Sequence, residues 1–261
     1  MFLPIGRHVN FSNKQGDNLA AIFDVVRKPL KKDFCLVFLH GYLSEKEGRI
    51  GKALANTLPQ AGISLFRFDF SGNSESAGEF GEGSFSKMRE DARSALAYLQ
   101  TQGFKKFAVL GHSFGSAVGL TLVSEIKEIK YFIALSGTGD LPASKIRRFS
   151  QEALRQAEQV GYTYVQLTSG EKRKVTKDYL EDFDRYDIAD YARKARKPAL
   201  FLWGKHDTTI LEAEVRKIYD AYAGQKAFAY LPHADHFFYA QEARQEMTDV
   251  LEEWLTRRIR E

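Results

Sequence analysis

Short apolar runs alternate with longer stretches of helical periodicity along most of this chain. Residues 34–39 are apolar without interruption, which is typical of a strand buried on both faces of a parallel sheet. In residues 84–102, by contrast, apolar side chains recur at helical spacing and predict an amphipathic helix. Because strand-like and helix-like segments follow one another repeatedly, the pattern predicts an α/β fold with a mostly parallel sheet and helices on both faces.

The same pattern predicts the order of the elements. A hairpin is expected first, with strands over residues 9–11 and 19–26 joined by a turn at 13–17. The further predicted elements are strands over 34–39, 64–68, 107–110, 131–135, 199–203 and 228–231, helices over 50–60, 84–102 and 114–124, and a final amphipathic helix that carries residues 247–255. Together these strands indicate a sheet of the eight-stranded type.

Residues 140–196 depart from this alternation and are more highly charged. Their pattern predicts a helix, a hairpin and a short helix, over residues 145–159, over 162–175 with a turn at Ser169-Gly170, and over 177–184. An insertion after the carboxyl end of a strand lies where α/β sheets bind ligands, so we expect a small cap over the active site. Phe149, Tyr162 and Tyr164 are its candidate substrate contacts. The alternative is a solvated excursion without substrate contact.

This division predicts two parts of the molecule. Residues 1–139 and 197–261 are expected to form the core that carries the sheet, and residues 140–196 the cap insertion. A chain of 261 residues, 44% of them hydrophobic, is long enough to bury a substantial core in one large α/β domain.

Composition and charge narrow the class of protein further. Cys35 is the only cysteine, so neither an intrachain disulfide nor a thiolate metal cluster can form. The net charge is only +4 and no basic run is interleaved with aromatic residues, so nucleic acid is not an expected partner. No apolar run approaches the ~20 residues that span a bilayer, and residues 1–4 do not resemble a secretory signal. We expect a cytoplasmic protein that acts on a small molecule, and the oligomeric state stays open.

The pentapeptide Gly111-His112-Ser113-Phe114-Gly115 is the strongest candidate for chemistry. It follows a predicted strand and begins a predicted helix, so Ser113 stands at the apex of a tight turn with its hydroxyl exposed. A side chain at position 111 or 115 would collide with the neighbouring strand and helix, which explains glycine at both positions. The pattern predicts a serine nucleophile, and a turn without chemistry is the alternative.

A serine nucleophile requires a general base. His236 lies in the loop between the last predicted strand and the last predicted helix, where the elbow arrangement places its histidine. His233 shares this loop and is the competitor. His112, inside the elbow, cannot turn back onto the neighbouring hydroxyl and is expected to pack and hydrogen-bond beneath the turn.

The base in turn requires a carboxylate that orients it and stabilises its charged form. Asp207 directly follows the predicted strand 199–203, which puts its carboxylate at the same sheet edge as Ser113. Asp184 and Asp187, from the insertion, are the fallback candidates.

Acyl transfer also requires two N–H donors for the developing oxyanion. The backbone N–H of Phe114, at a helix N-terminus, is the first candidate. The second comes from the loop that begins at His40, where Gly41 lets the backbone turn inward; Tyr42 is the first choice and Leu43 the second. Residues 67–76 are rich in turn-forming polar side chains and are expected to support this loop.

Four motifs in this order resemble those of the α/β-hydrolase superfamily: residues 40–42, residues 68–73, residues 111–115, and residues 204–207 with 234–236. Within it the chain most resembles small cytosolic serine esterases of the cinnamoyl/feruloyl type and their uncharacterised relatives, which carry a helix-hairpin-helix insertion. The resemblance implies a catalytic triad of Ser113, Asp207 and His236, with oxyanion donors at Tyr42 and Phe114.

These features favour a serine carboxylesterase that hydrolyses small or aromatic acyl esters through an acyl-enzyme on Ser113. A thioesterase, an acylaminoacyl-peptidase or a monoacylglycerol lipase uses the same triad, and the fold does not choose among them. A non-enzymatic ligand-binding scaffold is the third class. No metal or other cofactor is expected. The basic residues of the insertion are most simply a solvated surface, and the alternative is that some attract an anionic acyl group or a CoA-linked substrate.

Overall fold

The computed structural model describes residues 6–166 and 170–261. The strands and α-helices of these ranges are, in chain order, β1 (Arg7–Ser12), β2 (Asn18–Asp24), β3 (Phe34–Leu39), α1 (Arg49–Thr57), β4 (Ser64–Phe68), α2 (Phe85–Thr101), β5 (Lys106–His112), α3 (Phe114–Glu125), β6 (Ile129–Leu135), α4 (Leu141–Arg148), α5 (Gln151–Val160), β7 (Tyr162–Gln166), β8 (Lys172–Thr176), α6 (Lys177–Glu181), α7 (Ile188–Lys194), β9 (Ala199–Gly204), α8 (Glu212–Ala221), β10 (Lys226–Leu231) and α9 (Gln241–Arg260). Short 3₁₀ helices occupy Phe80–Glu82 and Asp182–Arg185.

Eight strands of the described ranges form one sheet in the order β1-β2-β4-β3-β5-β6-β9-β10. The pairs β1–β2 and β2–β4 are antiparallel, and every pair from β4 to β10 is parallel. The mostly parallel eight-stranded sheet predicted from the sequence is therefore confirmed. Because parallel strands end at the same edge, the loops after β3, β5, β9 and β10 meet there.

The central strand β3 shows why the sheet is buried on both faces. All six of its residues are buried. Cys35, Val37 and Leu39 belong to one hydrophobic cluster, which also contains apolar residues of α2, α3 and α8. Phe34, Leu36 and Phe38 belong to a second cluster, which contains residues of α1 and α9. Since side chains alternate along a strand, an uninterrupted apolar run places apolar side chains in the hydrophobic clusters on both faces of the sheet.

The single helix predicted over residues 145–159 is wrong, because two helices, α4 and α5, occupy this stretch. Phe149 has extended dihedral angles between them, and its side chain is buried. Ser150 caps α5, since its side chain accepts a hydrogen bond of 3.1 Å from the N–H of Ala153. The composition of residues 145–159 suits one continuous helix. The buried ring of Phe149 and the cap formed by Ser150 instead divide it into two helices.

The predicted hairpin corresponds to β7 and β8, which pair antiparallel from Tyr162–Thr176 to Gln166–Lys172. Its turn was expected at Ser169-Gly170, and Ser169 lies outside the described residues. Helices α7 and α8 were not predicted; α7 packs on both α3 and α8, so the insertion returns to the core before β9 begins. Within the described ranges, none of the helices combines the length and apolarity needed to cross a membrane.

Candidate active site

Ser113 occupies a sharp turn between β5 and α3, with dihedral angles φ 52° and ψ −116°. A Cβ atom on Gly111 would lie 2.4 Å from the carbonyl oxygen of Gly115, and one on Gly115 would lie 2.3 Å from that of Leu39. Neither distance leaves room for a side chain. The steric reason that the sequence suggested for both glycines is thus present, and it holds the serine in a strained left-handed conformation.

Ser113, His236 and Asp207 form a continuous hydrogen-bonded chain at the carboxyl edge of the sheet. Ser113 Oγ lies 3.1 Å from His236 Nε2, and His236 Nδ1 lies 2.8 Å from Asp207 Oδ2. A carboxylate can only accept, so the proton of the neutral imidazole is assigned to Nδ1, which leaves Nε2 free to accept from the serine hydroxyl. All three residues are buried. The structure thus brings together the three side chains that the motifs selected.

The carboxylate of Asp207 is held by the loop that follows β9. Its Oδ1 atom accepts hydrogen bonds of 2.9 Å from the backbone N–H groups of Thr209 and Ile210. Burial opposes ionisation of this carboxyl group, but the hydrogen bonds from His236 and from the backbone outweigh it and lower the pKa of Asp207 below its ordinary value. Asp207 is therefore a carboxylate at neutral pH and stabilises positive charge on His236.

The competing residues lie elsewhere. The side chain of His233 is 63% exposed and pairs with Glu246 on α9, away from Ser113. Asp184 forms an ion pair with Lys145. Asp187 caps α7 by accepting from the N–H groups of Ala189 and Asp190. Each of the other candidates for the base or the acid therefore interacts with a local partner.

His112 lies beneath the turn. Its Nε2 atom donates to the carbonyl oxygen of His236 at 3.0 Å, and the two imidazole ring centroids are 4.9 Å apart. Burial, together with the nearby His236, lowers the pKa of His112 to about 3. A neutral His112 positions the backbone of His236 without adding a positive charge beside it, which fits the packing and hydrogen-bonding role expected from the sequence.

The loop after β3 passes directly over the serine. A Cβ on Gly41 would lie 3.3 Å from Cβ of Ser113. In the described part of the chain, the N–H groups of Tyr42, Leu43 and Phe114 donate no hydrogen bond to a protein acceptor. Leu43 has a φ of 53°, so the backbone turns sharply at this point. The N–H of Phe114 and one N–H of this loop are thus available to a ligand, and Tyr42 and Leu43 both remain candidates.

Two buried polar contacts anchor this loop to residues 67–76, as the sequence suggested. Asp69 accepts 2.7 Å and 2.6 Å hydrogen bonds from the backbone N–H and the Nζ of Lys46, and both side chains are buried. His40 donates from Nδ1 to the carbonyl of Gly41 at 2.8 Å and accepts at Nε2 from the N–H of Phe70 at 3.1 Å. Lys46 was not predicted as part of the site. The sequence shows only a lysine in one loop and Asp69 in the other, and nothing in it indicates that the two form an ion pair.

A cavity of about 930 Å³ opens over Ser113 and His236. The insertion contributes four of its described lining residues, namely Arg147, Arg148, Gln166 and Arg173, and the loop before α9 contributes Phe237 and Tyr239. Both of these aromatic side chains are more than half exposed. The three arginines belong to the basic residues for which the sequence left a substrate contact open as the alternative to a solvated surface. Gln166, Phe237 and Tyr239 were not predicted, because only the tertiary fold brings these segments together.

The three aromatic residues expected to contact substrate are not among the described residues that line this cavity. In β7 the alternation of side chains buries Thr163 and Val165 on one face of the strand. Tyr162 and Tyr164 lie on the other face, where Tyr164 is 46% exposed. Phe149 is buried in the main hydrophobic cluster. The cavity meets this hairpin at the end where Gln166 pairs with Lys172, and Gln166 lies on the same strand face as the two tyrosines. Position along the hairpin, which the tertiary fold decides, therefore separates the lining residues from Tyr162 and Tyr164.

A mostly parallel eight-stranded sheet with a serine elbow at its carboxyl edge defines an α/β hydrolase. The chain belongs to the Hydrolase_4 family, described as serine aminopeptidase, S33, whose model matches residues 31–187. The fold and the superfamily that the four motifs indicated are confirmed.

No curated protein matches the chain. Among solved structures it is similar to Est1E from Butyrivibrio proteoclasticus with bound ferulic acid, at a TM-score of 0.80 and 20% identity over 97% of this chain and 100% of that one. It is also similar to the esterase domain of a Rhodothermus marinus protein, at a TM-score of 0.75 and 26% identity over 97% and 98%. The Pyrococcus furiosus esterase Pf2001 follows at 0.71 and 19% over 97% and 90%. These likenesses support the fold.

Proposed function

We propose that this protein is a serine carboxylesterase that hydrolyses small or aromatic acyl esters through an acyl-enzyme on Ser113. The observation that carries the proposal is the hydrogen-bonded chain from Ser113 through His236 to Asp207, which opens into a cavity. Acyl transfer by serine needs this order of nucleophile, base and orienting carboxylate.

In the acylation step, Ser113 Oγ attacks the ester carbonyl carbon while His236 Nε2 accepts the hydroxyl proton. The negative charge that develops on the carbonyl oxygen is stabilised by the N–H of Phe114 and by that of Tyr42 or Leu43. His236 then returns the proton to the departing alkoxide, and the acyl group stays on Ser113. The ionised Asp207 stabilises the imidazolium between these two proton transfers.

Deacylation repeats the sequence with water as the nucleophile. His236 takes a proton from water, the resulting hydroxide attacks the acyl carbon, and the same N–H groups stabilise the second oxyanion. Collapse breaks the bond to Ser113 Oγ, which regains its proton from His236. The products are a carboxylic acid and the alcohol released earlier, and the protein returns to its starting state.

One feature of the cavity and one similar structure support aromatic esters among the substrates. Phe237 and Tyr239 line the cavity with ring centroids 5.8 Å apart, and both expose enough surface to contact an aromatic group. Est1E, similar in fold, has been solved with ferulic acid.

We also propose that residues 140–196 act as a cap on the core of residues 1–139 and 197–261, because four side chains of the insertion reach the cavity.

The family description favours a second candidate, an aminopeptidase that uses the same three residues. An aminopeptidase must accept the positively charged amino end of a peptide beside its nucleophile. Among the described lining residues, the acidic side chain is Glu45, and four arginines line the same cavity. This balance of charge disfavours an ammonium group and supports the esterase.

A fluorophosphonate probe tests the proposal. We expect it to label Ser113, and Ser113→Ala to abolish labelling and lower kcat for 4-nitrophenyl acetate by up to about 10⁶-fold. Ser124→Ala, at the far end of α3, is the control and keeps both properties. Leucine 4-nitroanilide, assayed in parallel, separates aminopeptidase from esterase. Undiminished ester turnover by folded Ser113→Ala would overturn the proposed function.

A further inference from the structure

The cavity over Ser113 is lined by more positive than negative charge. Its charged lining residues in the described ranges are Glu45, Arg49, Arg147, Arg148 and Arg173. Glu45 and Arg49 are exposed, and the Arg49 guanidinium lies over the ring of Tyr239. The three arginines of the insertion differ in how their charge is neutralised, and this difference distinguishes one of them.

Arg147 and Arg173 have carboxylate partners. Arg147 forms a two-pronged pair with Glu214 on α8, with distances of 2.9 Å and 3.0 Å. Arg173 lies 3.3 Å from Glu171 and also donates to the carbonyl of Gly72. These charges are therefore largely balanced by the protein.

Among residues 6–166 and 170–261, Arg148 forms no salt bridge with a carboxylate; Glu214 acts on its charge from nearby but pairs with Arg147. The remaining eight positions, 1–5 and 167–169, contain no acidic residue. Arg148 Nη1 donates to the carbonyl of Ser144 at 3.0 Å. Its guanidinium carbon lies 4.7 Å from the ring centroid of Tyr42 and 5.7 Å from that of Phe114. The charge is thus met by one carbonyl and two aromatic faces.

These groups compensate the positive charge of Arg148 only in part, so a bound anion would stabilise it further. Arg148 is half-buried, and a cation partly withdrawn from water is less well solvated than an exposed one unless it is paired. Two aromatic faces supply only part of this compensation. Burial lowers the pKa of the Arg148 guanidinium, which nevertheless stays charged at neutral pH. The planar fork of arginine also matches the two oxygens of a carboxylate.

The position of Arg148 relates this charge to the reaction. Tyr42 and Phe114, whose rings it contacts, carry candidate N–H donors for the oxyanion, and their ring centroids are 6.0 Å apart. Arg148 and Ser113 line the same cavity, so an anionic group bound at Arg148 lies in the space that a substrate at Ser113 occupies.

We propose that Arg148 is a specificity-determining residue that binds a carboxylate carried by the ester substrate. The inference rests on the proposed esterase function and assigns its substrate class: esters that carry a free carboxylate in addition to the ester group. The carboxylate belongs either to the acyl part, as in the monoester of a dicarboxylic acid, or to the alcohol part, as in an acylated hydroxybenzoate.

Two matched substrate pairs distinguish these sources. Ethyl hydrogen adipate against ethyl hexanoate places the charge in the acyl part, and 4-acetoxybenzoate against 4-acetoxybenzamide places it in the alcohol part. We expect kcat/KM of the wild-type protein to favour the charged member of one pair. Arg148→Met should lower that charged-to-neutral ratio by about 10- to 100-fold, the range expected for a charge-assisted hydrogen bond.

Arg148→Lys retains the charge without the fork and should give an intermediate ratio. Arg155→Met, an exposed position on α5 that does not belong to the cavity lining, is the control and should keep the wild-type ratio. An equal loss for the charged and neutral members would show that Arg148 only supports Tyr42 and Phe114, and would overturn the inference. A ratio near one in both pairs for the wild-type protein would do the same. Should Arg148→Met not fold, Arg148→Lys decides by the same ratios.

A binding measurement separates this inference from the proposed function. Calorimetric titration of Ser113→Ala with ethyl hydrogen adipate or 4-acetoxybenzoate, repeated with Arg148→Met added, reads the carboxylate contact without turnover. Binding of one charged ester that disappears with Arg148→Met supports the inference even if the wild-type protein hydrolyses no ester. Ester turnover dependent on Ser113 without such binding supports the esterase and refutes the carboxylate site.

Discussion

The carboxyl edge of the sheet and the insertion at residues 140–196 contribute to one cavity by different means. At the sheet edge the backbone itself is constrained, as in the left-handed Ser113 and the closely packed Gly111 and Gly115. The insertion contributes long side chains, Arg147, Arg148 and Arg173 among them. Carboxylate partners hold Arg147 and Arg173, whereas a carbonyl and two aromatic rings hold Arg148. Under the proposed function, the sheet edge performs the reaction and the insertion selects the substrate.

The insertion is nevertheless firmly seated on the core. A Cβ on Gly81, in the short helix Phe80–Glu82, would lie 2.0 Å from the carbonyl oxygen of Lys174 on β8. The side chain of Thr176 donates to the carbonyl of Gly81 at 3.1 Å, and Asp182 accepts from the N–H of Ser86 at the start of α2. These contacts therefore hold β8 and the short helix Asp182–Arg185 against the short helix Phe80–Glu82 and the start of α2.

Among the changes that test this comparison, the largest effect is expected from Asp207→Asn, at the sheet edge. An asparagine amide can donate to His236 Nδ1, which favours the tautomer with its proton on Nε2, and this atom then cannot accept from Ser113. By analogy with serine proteases we expect kcat to fall about 10³- to 10⁴-fold while the fold is retained. Ester turnover and thermal unfolding measure the two properties.

Asp184→Asn is the matched control for this change, because Asp184 was the alternative acid and pairs instead with Lys145. It should change kcat less than about threefold, since exposed ion pairs contribute about 1 kcal/mol or less. A larger loss for Asp184→Asn than for Asp207→Asn would contradict the assignment of the acid and would move the chemistry into the insertion.

The sheet edge was also the region most accessible to prediction. The uninterrupted apolar run of β3 reveals a strand with the bounds observed, because a strand buried on both faces favours apolar side chains. The bounds predicted for β4, 64–68, are also those observed, although Ser64 and Arg67 interrupt its apolar pattern. Steric exclusion at Gly111 and Gly115 and the order of loops after parallel strands are local rules. They were sufficient to predict which side chains meet at Ser113.

The insertion was harder to predict because its conformation depends on contacts distant in sequence. Arg147 and Arg148 are adjacent and indistinguishable by residue type, and only Glu214, 67 positions away, shows which of them is neutralised. The break at Phe149 is likewise decided by burial of its ring. Tyr162 and Tyr164 lie outside the described cavity lining for the same reason, because the tertiary fold decides which part of the hairpin meets the cavity.

A smaller effect, on stability, is expected from Gly115→Ala. The added Cβ would lie 2.3 Å and 2.5 Å from the carbonyl oxygens of Leu39 and His40, so β3 and the loop after it must shift. We expect the free energy of unfolding to fall by about 3 kcal/mol, at the upper end of overpacking costs, and turnover to fall with it. Urea denaturation provides the measurement.

Gly48→Ala is the control, because a Cβ there meets its first neighbour at 3.4 Å, an ordinary contact. Its effect should stay within about 1 kcal/mol, the range for replacement of a helix cap. If both alanines cost the same, glycine at position 115 would not be a steric requirement, and the contrast between a backbone-constrained edge and a side-chain-built insertion would lose its basis.

The smallest effect is expected within the insertion, from Ser150→Ala. The change removes the side-chain oxygen that accepts from the N–H of Ala153 and caps α5, and should lower the free energy of unfolding by about 1 kcal/mol. Ser150→Thr keeps a capping hydroxyl and should recover most of this loss. Because Ser150 lies outside the cavity lining, kcat/KM for a neutral ester should stay within about twofold. A tenfold loss of kcat/KM at unchanged stability would show that the start of α5 is coupled to Ser113, and that the insertion takes part in the reaction as well as in selection of the substrate.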